Sequence, residues 1–347
     1  MDELDKPIPA EEFIRHGPSV AEMRWDSVSP SYLTPNERFF VRSQGPSPLI
    51  SSATWRLEVS GPAVGRQLTI SYDELCRLPR VTITCALECA GNGRRFFERS
   101  HDGLPPGTPW GLGGIGVAEW TGVRMSELLE RAHVRPYARD VMPVGLDNAA
   151  VRRPLPVEKA MEDDTILAFH MNGEPLPRDH GHPARLIVPG WVGIASVKWV
   201  GRIVVSGRRL SSPWSTETYV WKGPASEGPP VPLTDVGVKS ALELPWPARV
   251  KAGLVTIRGR SWSGRGSILS VECSDNGGRT WQPARMVPPN LSRAWVRWEF
   301  DWQARPGDCE LMVRATDDLG NVQPELPPWN ELGYLNGAIV AHPVRVE

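Results

Sequence analysis

Val81-Thr-Ile-Thr-Cys-Ala-Leu-Glu-Cys-Ala-Gly-Asn-Gly-Arg-Arg-Phe96 is the stretch on which the reading of this chain turns. Its first four residues, β-branched throughout, read as a strand entering the interior. After Cys89, two glycines and an asparagine break regular structure, because they tolerate positive φ and close approach of another group. Arg94 and Arg95 follow at once. A thiol carried in on a strand, with a glycine loop and paired guanidinium groups behind it, suits a soft metal ligand beside an anion site. The competing reading is a buried structural cysteine in a turn, with solvated arginines.

The 347 residues suffice for two domains, each with its own core. A formal net charge of −1 gives no support to nucleic-acid or membrane-surface binding, so any anion preference must come from local arginine clusters. Thirty-five prolines, 33 glycines and 15 tryptophans predict many short elements joined by ordered loops. Five cysteines, at 76, 85, 89, 273 and 309, do not make a dense disulfide framework. Cys273 and Cys309 could bridge the sheets of a β-sandwich, although such pairs stay reduced in the cytosol. The Met-Asp-Glu-Leu-Asp start lacks the basic and apolar regions of an export signal, and no apolar run is long enough to cross a bilayer. A soluble cytoplasmic protein is expected, or a periplasmic one if an export signal has been removed.

Residues 1–36 read as an irregular arm with a helical piece at 10–16, and 37–44 as a short apolar strand ending in Arg42. Residues 55–60 alternate like a half-buried strand. Ser71-Tyr-Asp-Glu74 is a capping box that opens a helix to Leu78, where Pro79 ends it. A Gly/Pro loop at 100–116 holds Trp110, and long ordered loops of this kind are often functional. Residues 125–132 predict an amphipathic helix with Leu128 and Leu129 inward; Trp120 before it reads as a packed core residue. Strands follow at 141–146 and 165–171, the second closed by Asn172-Gly173, with a helix started by Pro156 between them. In Arg178-Asp-His-Gly-His-Pro-Ala-Arg185, a cation and an imidazole suit a phosphate monoester. The His180/His182 pair also raises zinc, without cysteine or carboxylate partners at metal spacing. Residues 207–235 read as a surface linker. Beyond Val236, alternating strands at 254–260, 268–273, 294–302 and 311–316, with turns at Asp275-Asn-Gly-Gly278 and Asp317-Asp-Leu-Gly320, predict an immunoglobulin-like sandwich.

Glu88-Cys-Ala-Gly-Asn92 followed by arginines closely resembles the Cys-Ala-Gly-Asn-Arg-Arg segment of the sulfite oxidase family of molybdopterin-dependent oxidoreductases. Further segments resemble that family in the same order: Phe39-Phe-Val-Arg-Ser-Gln44, Gly145-Leu-Asp147, the run from His180 to Arg185, Ser196-Val-Lys-Trp199 and Pro328-Trp-Asn330. The resemblance implies an α+β architecture: an arm at 1–36, a mixed α/β molybdopterin-binding catalytic domain at 37–215, a linker at 216–235 and an all-β immunoglobulin-like dimerisation domain at 236–347. It implies a molybdenum–molybdopterin cofactor with Cys89 as the metal ligand. Phe40, Val41, Arg42, Ser43, Gln44, Asp147, His180, Arg185, Ser196, Val197 and Lys198 would surround that cofactor. Arg42, Arg94 and Trp110 would form the substrate pocket. The implied activity is oxidation of sulfite, a small anion, to sulfate by oxygen-atom transfer in a homodimer. There is no Cys-x-x-Cys-His haem motif, so the electrons would leave to a separate carrier such as a cytochrome c.

Two departures stand out. Val151-Arg-Arg-Pro-Leu-Pro156 occupies the place of the family's Tyr-x-x-Ser-Ile-Pro, and Trp329-Asn-Glu-Leu332-Gly puts leucine where animal and plant members have an arginine. Arg95, Arg152 and Arg153 are candidates to restore the missing charge. A molybdenum-dependent reductase of sulfoxides or other oxo-anions is therefore an alternative. Readings from other classes are a non-catalytic immunoglobulin-like binding protein and a thiol enzyme with Cys89 as nucleophile and His180 as base.

Overall fold

The computed structural model describes residues 4–99, 103–223 and 228–347. Parts of three predicted segments, at 1–3 in the arm, 100–102 in the Gly/Pro loop and 224–227 in the linker, lie outside the described residues. The β-branched stretch forms strand Arg80–Glu88, whose residues pass from exposed at Arg80 to buried at Glu88. It pairs antiparallel along its whole length with Ile115–Arg124, a strand the sequence reading did not separate from the helix after it. Ile166–Met171 joins the other side of that strand, and Arg185–Ile187 pairs with Ile166–Met171 in turn. Gly122 makes this sheet possible, because a Cβ there would stand 2.1 Å from the Leu167 carbonyl oxygen.

A second five-stranded sheet runs in the order Leu68–Ser71, Arg56–Ser60, Val200–Ser206, Asp140–Gly145, Leu155–Pro156. Helices Tyr72–Arg77 and Met125–Arg131 contribute to the core against it. Ser71 and Glu74 form the reciprocal cap expected of them. Leu128 and Leu129 are fully buried, each contributing about 1.5–3 kcal/mol of hydrophobic stabilisation. The α-helices are only four to seven residues long, so the domain is mostly β rather than a balanced α/β layer structure.

The arm is not helical at 10–16. Phe13–Gly17 is a strand that pairs with Val20–Met23, which pairs in turn with Val41–Arg42. Tertiary burial overrides local propensity here: the hairpin buries Phe13, Ala21 and Met23 and brings the buried Glu22 carboxylate to the Gly111 and Gly113 N–H groups at 2.9 and 3.1 Å. Of the strand expected over 37–44, only Val41–Arg42 is extended and paired; a 3₁₀ turn at Asn36–Arg38 precedes it.

The C-terminal region is two antiparallel-based sheets sharing one core. One contains Lys239–Leu242, Gly253–Trp262, Trp295–Ala304 and Arg285–Val287; the other contains Gly307–Asp317 flanked by Ile268–Ser274 and His342–Val346. Cys273 and Cys309 are free thiols in the same sheet, so they do not bridge the two. Trp262 and Trp295 leave this core to pack with Met23, Ile115 and Val117 of the preceding region. The stretch read as a linker is built into the fold: Val220–Trp221 pairs with Val231–Pro232, and buried Tyr219 and Leu233 pack with Ala90 and Val192.

Candidate functional site

Cys89 sits immediately beyond the buried end of Arg80–Glu88, where the glycine loop begins. Its N–H donates to the Gly114 carbonyl at 2.8 Å, and its own carbonyl accepts the Asn92 N–H at 2.9 Å. Gly93 turns the loop with φ at 90°, a conformation that side-chain-bearing residues rarely adopt. The cysteine lies on the wall of a cleft shared with Phe40, Arg42, His180, Arg185 and Lys198. Every residue the sequence assigned to cofactor contact lines it: Phe40 to Gln44 on one wall, Cys89, then Asp147, His180 and Arg185, and Ser196 to Lys198 opposite.

Three basic side chains, Arg42, Arg185 and Lys198, line the cleft against two carboxylates, Asp147 and Asp179. Lys198 donates from Nζ to Ser43 Oγ at 2.5 Å and to the Asp179 carbonyl at 2.8 Å. Arg185 donates to the His180 and Ser196 carbonyls at 2.9 and 3.1 Å and lies over the Trp120 ring. Its buried Nε has no hydrogen-bond partner among the described residues. Burial pushes Arg185 down to about 9 and Lys198 well below the ordinary lysine value, with Arg185 adding repulsion to Lys198. His180 is held well below the usual imidazole value by burial and by Lys6, Lys198 and Arg185. Burial raises the Cys89 thiol, while Arg42 draws it back.

Two predicted pocket residues lie elsewhere. Arg94 is buried with Nε on the Gly333 carbonyl at 3.1 Å and its terminal nitrogens on the Thr108 and Leu332 carbonyls at 2.8 and 3.0 Å. It holds the C-terminal Asn330–Gly333 turn rather than lining the cleft. Trp110, 1% exposed, packs behind the cleft against His16 and Phe40. Nor do the three arginines proposed to replace the lost charge reach the cleft. Arg95 lies over Trp246, Arg152 over Trp214, and buried Arg153 donates to the Trp214 and Leu233 carbonyls. Arg153 thereby fastens the segment that carries Tyr219.

Tyr219, in the cleft wall, and Lys6, beside His180, are residues of this region that the sequence reading did not name. Tyr219 lines the cleft, accepts the Gln44 Nε2–H at 3.2 Å on its hydroxyl and stacks on Tyr334. It puts a phenol beside Arg42, and Val151 also lines the cleft. Lys6 reaches back from the arm, its Nζ on the Asn36 and Phe39 carbonyls and 3.2 Å from His180 Nε2, while the Asp5 and Lys6 N–H groups bond Asp179. The Lys-Pro stretch at the arm carried no signal of this. Among the described residues no cluster of three metal-binding side chains occurs, and nothing joins His180 and His182 into a zinc site.

Comparison with known proteins places this geometry. The model of the "Oxidoreductase molybdopterin binding domain" matches residues 44–214, and that of the "Mo-co oxidoreductase dimerisation domain" matches 232–347. Sulfite oxidase of Gallus gallus is 36% identical over 349 residues, 92% of this chain and 75% of that protein. The chain belongs to the sulfite oxidase family. Mouse mitochondrial sulfite oxidase is 35% identical, and the chain spans 66% of its length. Nitrate reductase [NADH] of Ulva prolifera is 30% identical over 90% of this chain and 40% of that protein. The solved structure of the sulfane dehydrogenase SoxCD from Paracoccus pantotrophus superposes with a TM-score of 0.86 at 30% identity, covering 99% of this chain and 93% of that one.

Molybdenum–molybdopterin is the cofactor of this sulfite oxidase family member, and the cleft fits it. An excess of basic over acidic side chains in the lining, and an Arg185 Nε unpartnered among the described residues, call for an anionic group, and Cys89 offers the soft donor that a high-valent metal takes. Lys6 lies outside the cleft lining, its Nζ against the buried face of His180. Burial pushes it down to about 7 despite Asp179. Between that value and the ordinary lysine value the unfolded chain holds a proton the folded chain has shed, so stability rises with pH. Thermal midpoints of cofactor-free protein are expected to rise from pH 7 to 9, and Lys6→Met should flatten part of that slope. Equal slopes in parent and variant would show Lys6 to be charged and solvated.

Proposed function

We propose that the protein oxidises sulfite, or a closely related small sulfur anion, to its oxygenated product and passes the electrons to a separate carrier such as a cytochrome c. Sulfite gains one oxygen from water, and two electrons and two protons leave. The bound molybdenum centre supplies that two-electron oxygen-transfer chemistry, with Cys89 as the protein's ligand to the metal. Arg185, Lys198 and His180 hold the cofactor's anionic end, and Asp147, Ser196, Val197 and the Phe40–Gln44 backbone flank the pterin. The observation that carries the substrate reading is the group Arg42, Tyr219 and Gln44 on the same cleft as Cys89. The Arg42 guanidinium donates to the Ser43 carbonyl and to Gln44 Oε1, which holds it in the cleft wall as a permanent cation.

Arg42→Ala should raise KM for sulfite about 10- to 100-fold with little change in kcat, the size of one charge-assisted hydrogen bond. An unchanged KM would remove Arg42 from the pocket. A steady-state screen on protein of measured molybdenum content tests the substrate class, with sulfite and thiosulfate offered beside oxidised cytochrome c as acceptor, and nitrate and several sulfoxides beside a reduced viologen dye as electron donor. Turnover of nitrate or sulfoxides without sulfite oxidation would favour the reductase reading, which the nitrate reductase relative supports. Stoichiometric absence of molybdenum would return the binding-protein and thiol-enzyme readings.

The same proposal includes a homodimer formed through the C-terminal domain, which matches a dimerisation model. Domain limits follow the sequence reading: arm 1–36, catalytic domain 37–215, connecting segment 216–235, and 236–347 as a sandwich of immunoglobulin-like type, a reading supported by its two sheets over a shared core. The cytoplasm, or the periplasm after removal of an export signal, is the proposed location.

A further inference from the structure

The C-terminal domain reaches into the cysteine loop. Lys239 donates from Nζ to Glu88 Oε1 at 2.7 Å and to the Asn92 carbonyl at 3.0 Å. Trp262 donates its indole N–H to Glu88 Oε2 at 2.8 Å. Asn92 donates from Nδ2 to Glu88 Oε1 at 2.8 Å, and its Oδ1 accepts the Gly114 N–H at 2.9 Å. Gly114 in turn accepts the Cys89 N–H, and the Asn92 N–H donates to the Cys89 carbonyl, so the bonds close into a ring around the Cys89 peptide. Glu88, Asn92, Lys239 and Trp262 are all no more than 2% exposed.

Stability alone is a poor account of this pair. Desolvating two charges offsets most of their attraction, and well-packed apolar side chains would join the two regions at least as well. What a fully bonded ion pair adds is direction, because each oxygen of Glu88 is held by donors of fixed position. Glu88 is the residue before Cys89, so its orientation sets that of the loop.

We propose that Glu88 and Lys239 are positioning residues for Cys89, and that the C-terminal domain fixes the direction in which the thiolate meets the metal. The inference rests on Cys89 as the metal ligand. In loaded protein normalised to molybdenum, Lys239→Met should shift the thiolate-to-metal charge-transfer absorption and lower kcat about 10- to 100-fold, the range for losing an outer partner of a metal ligand, with KM unchanged. Absorption unmoved in Lys239→Met overturns the proposal and leaves the pair a clamp between domains.

A parent protein without such absorption overturns the ligand reading instead. The positioning of the loop is then decided on cofactor-free protein, by iodoacetamide alkylation followed on the Cys89 peptide. A rate about ten-fold faster in Lys239→Met supports a loosened loop, as exposure governs thiol reactivity; an equal rate overturns the proposal. If Lys239→Met does not fold, Lys239→Arg takes its place in both measurements, with the same outcomes.

Discussion

Cys89→Ser should abolish oxygen-transfer turnover while leaving the fold intact. The loop is held through the Cys89 peptide, by the Gly114 carbonyl and the Asn92 N–H, and neither bond involves sulfur. Serine keeps the shape of the side chain but offers a hard, protonated oxygen where the metal takes a soft thiolate. Loss of an outer partner of a metal ligand typically costs about 10- to 100-fold, so loss of the ligand itself should exceed ~100-fold in kcat. The checks are kcat per molybdenum, pterin content and thermal midpoint. Full turnover by the serine variant would refute Cys89 as the ligand; a collapsed midpoint would show that the sulfur also matters to folding.

Lys198→Met should act with opposite signs on the two forms of the protein. Without cofactor, burial and the neighbouring Arg185 both disfavour the charged form of Lys198, so its removal should hold or raise the thermal midpoint. With cofactor, the same substitution deletes a charge-assisted contact of roughly 1.5–3 kcal/mol, so cofactor retention should weaken about 10- to 100-fold. Pterin and molybdenum content after prolonged dialysis, beside midpoints of both forms, measures the split. Equal retention by parent and variant would mean that Lys198 serves Ser43 and the Asp179 carbonyl alone.

The features legible in the sequence were those with a local cause. The β-branched run before Cys89, the Ser71/Glu74 cap and the Asn172-Gly173 turn each follow from residues a few positions apart. The cofactor cleft was legible for a different reason: its residues sit in short segments that resemble a known family, and the fold gathers those segments onto one wall or another. Residues 10–16 misled because the reason Phe13–Gly17 is extended is distant, in the hairpin whose Glu22 reaches the glycine N–H groups at 111 and 113. Tyr219 gave no signal because it lies in an irregular run, at φ 53°, and is placed by Arg153 from another part of the chain. Arg94 looked like a free cation beside the cysteine until the Asn330–Gly333 turn supplied its carbonyl partners.

Trp262 and Lys239 ending on Glu88 has a bearing on how this chain can be cut or recombined. Residues 1–235 expressed alone would leave a carboxylate stranded beside the cysteine and strip the cover from Ile115 and Val117. The two sequence modules are therefore not interchangeable parts. A chimera that borrows its second half from a relative should keep its chemistry only where the donor brings matching partners for Glu88.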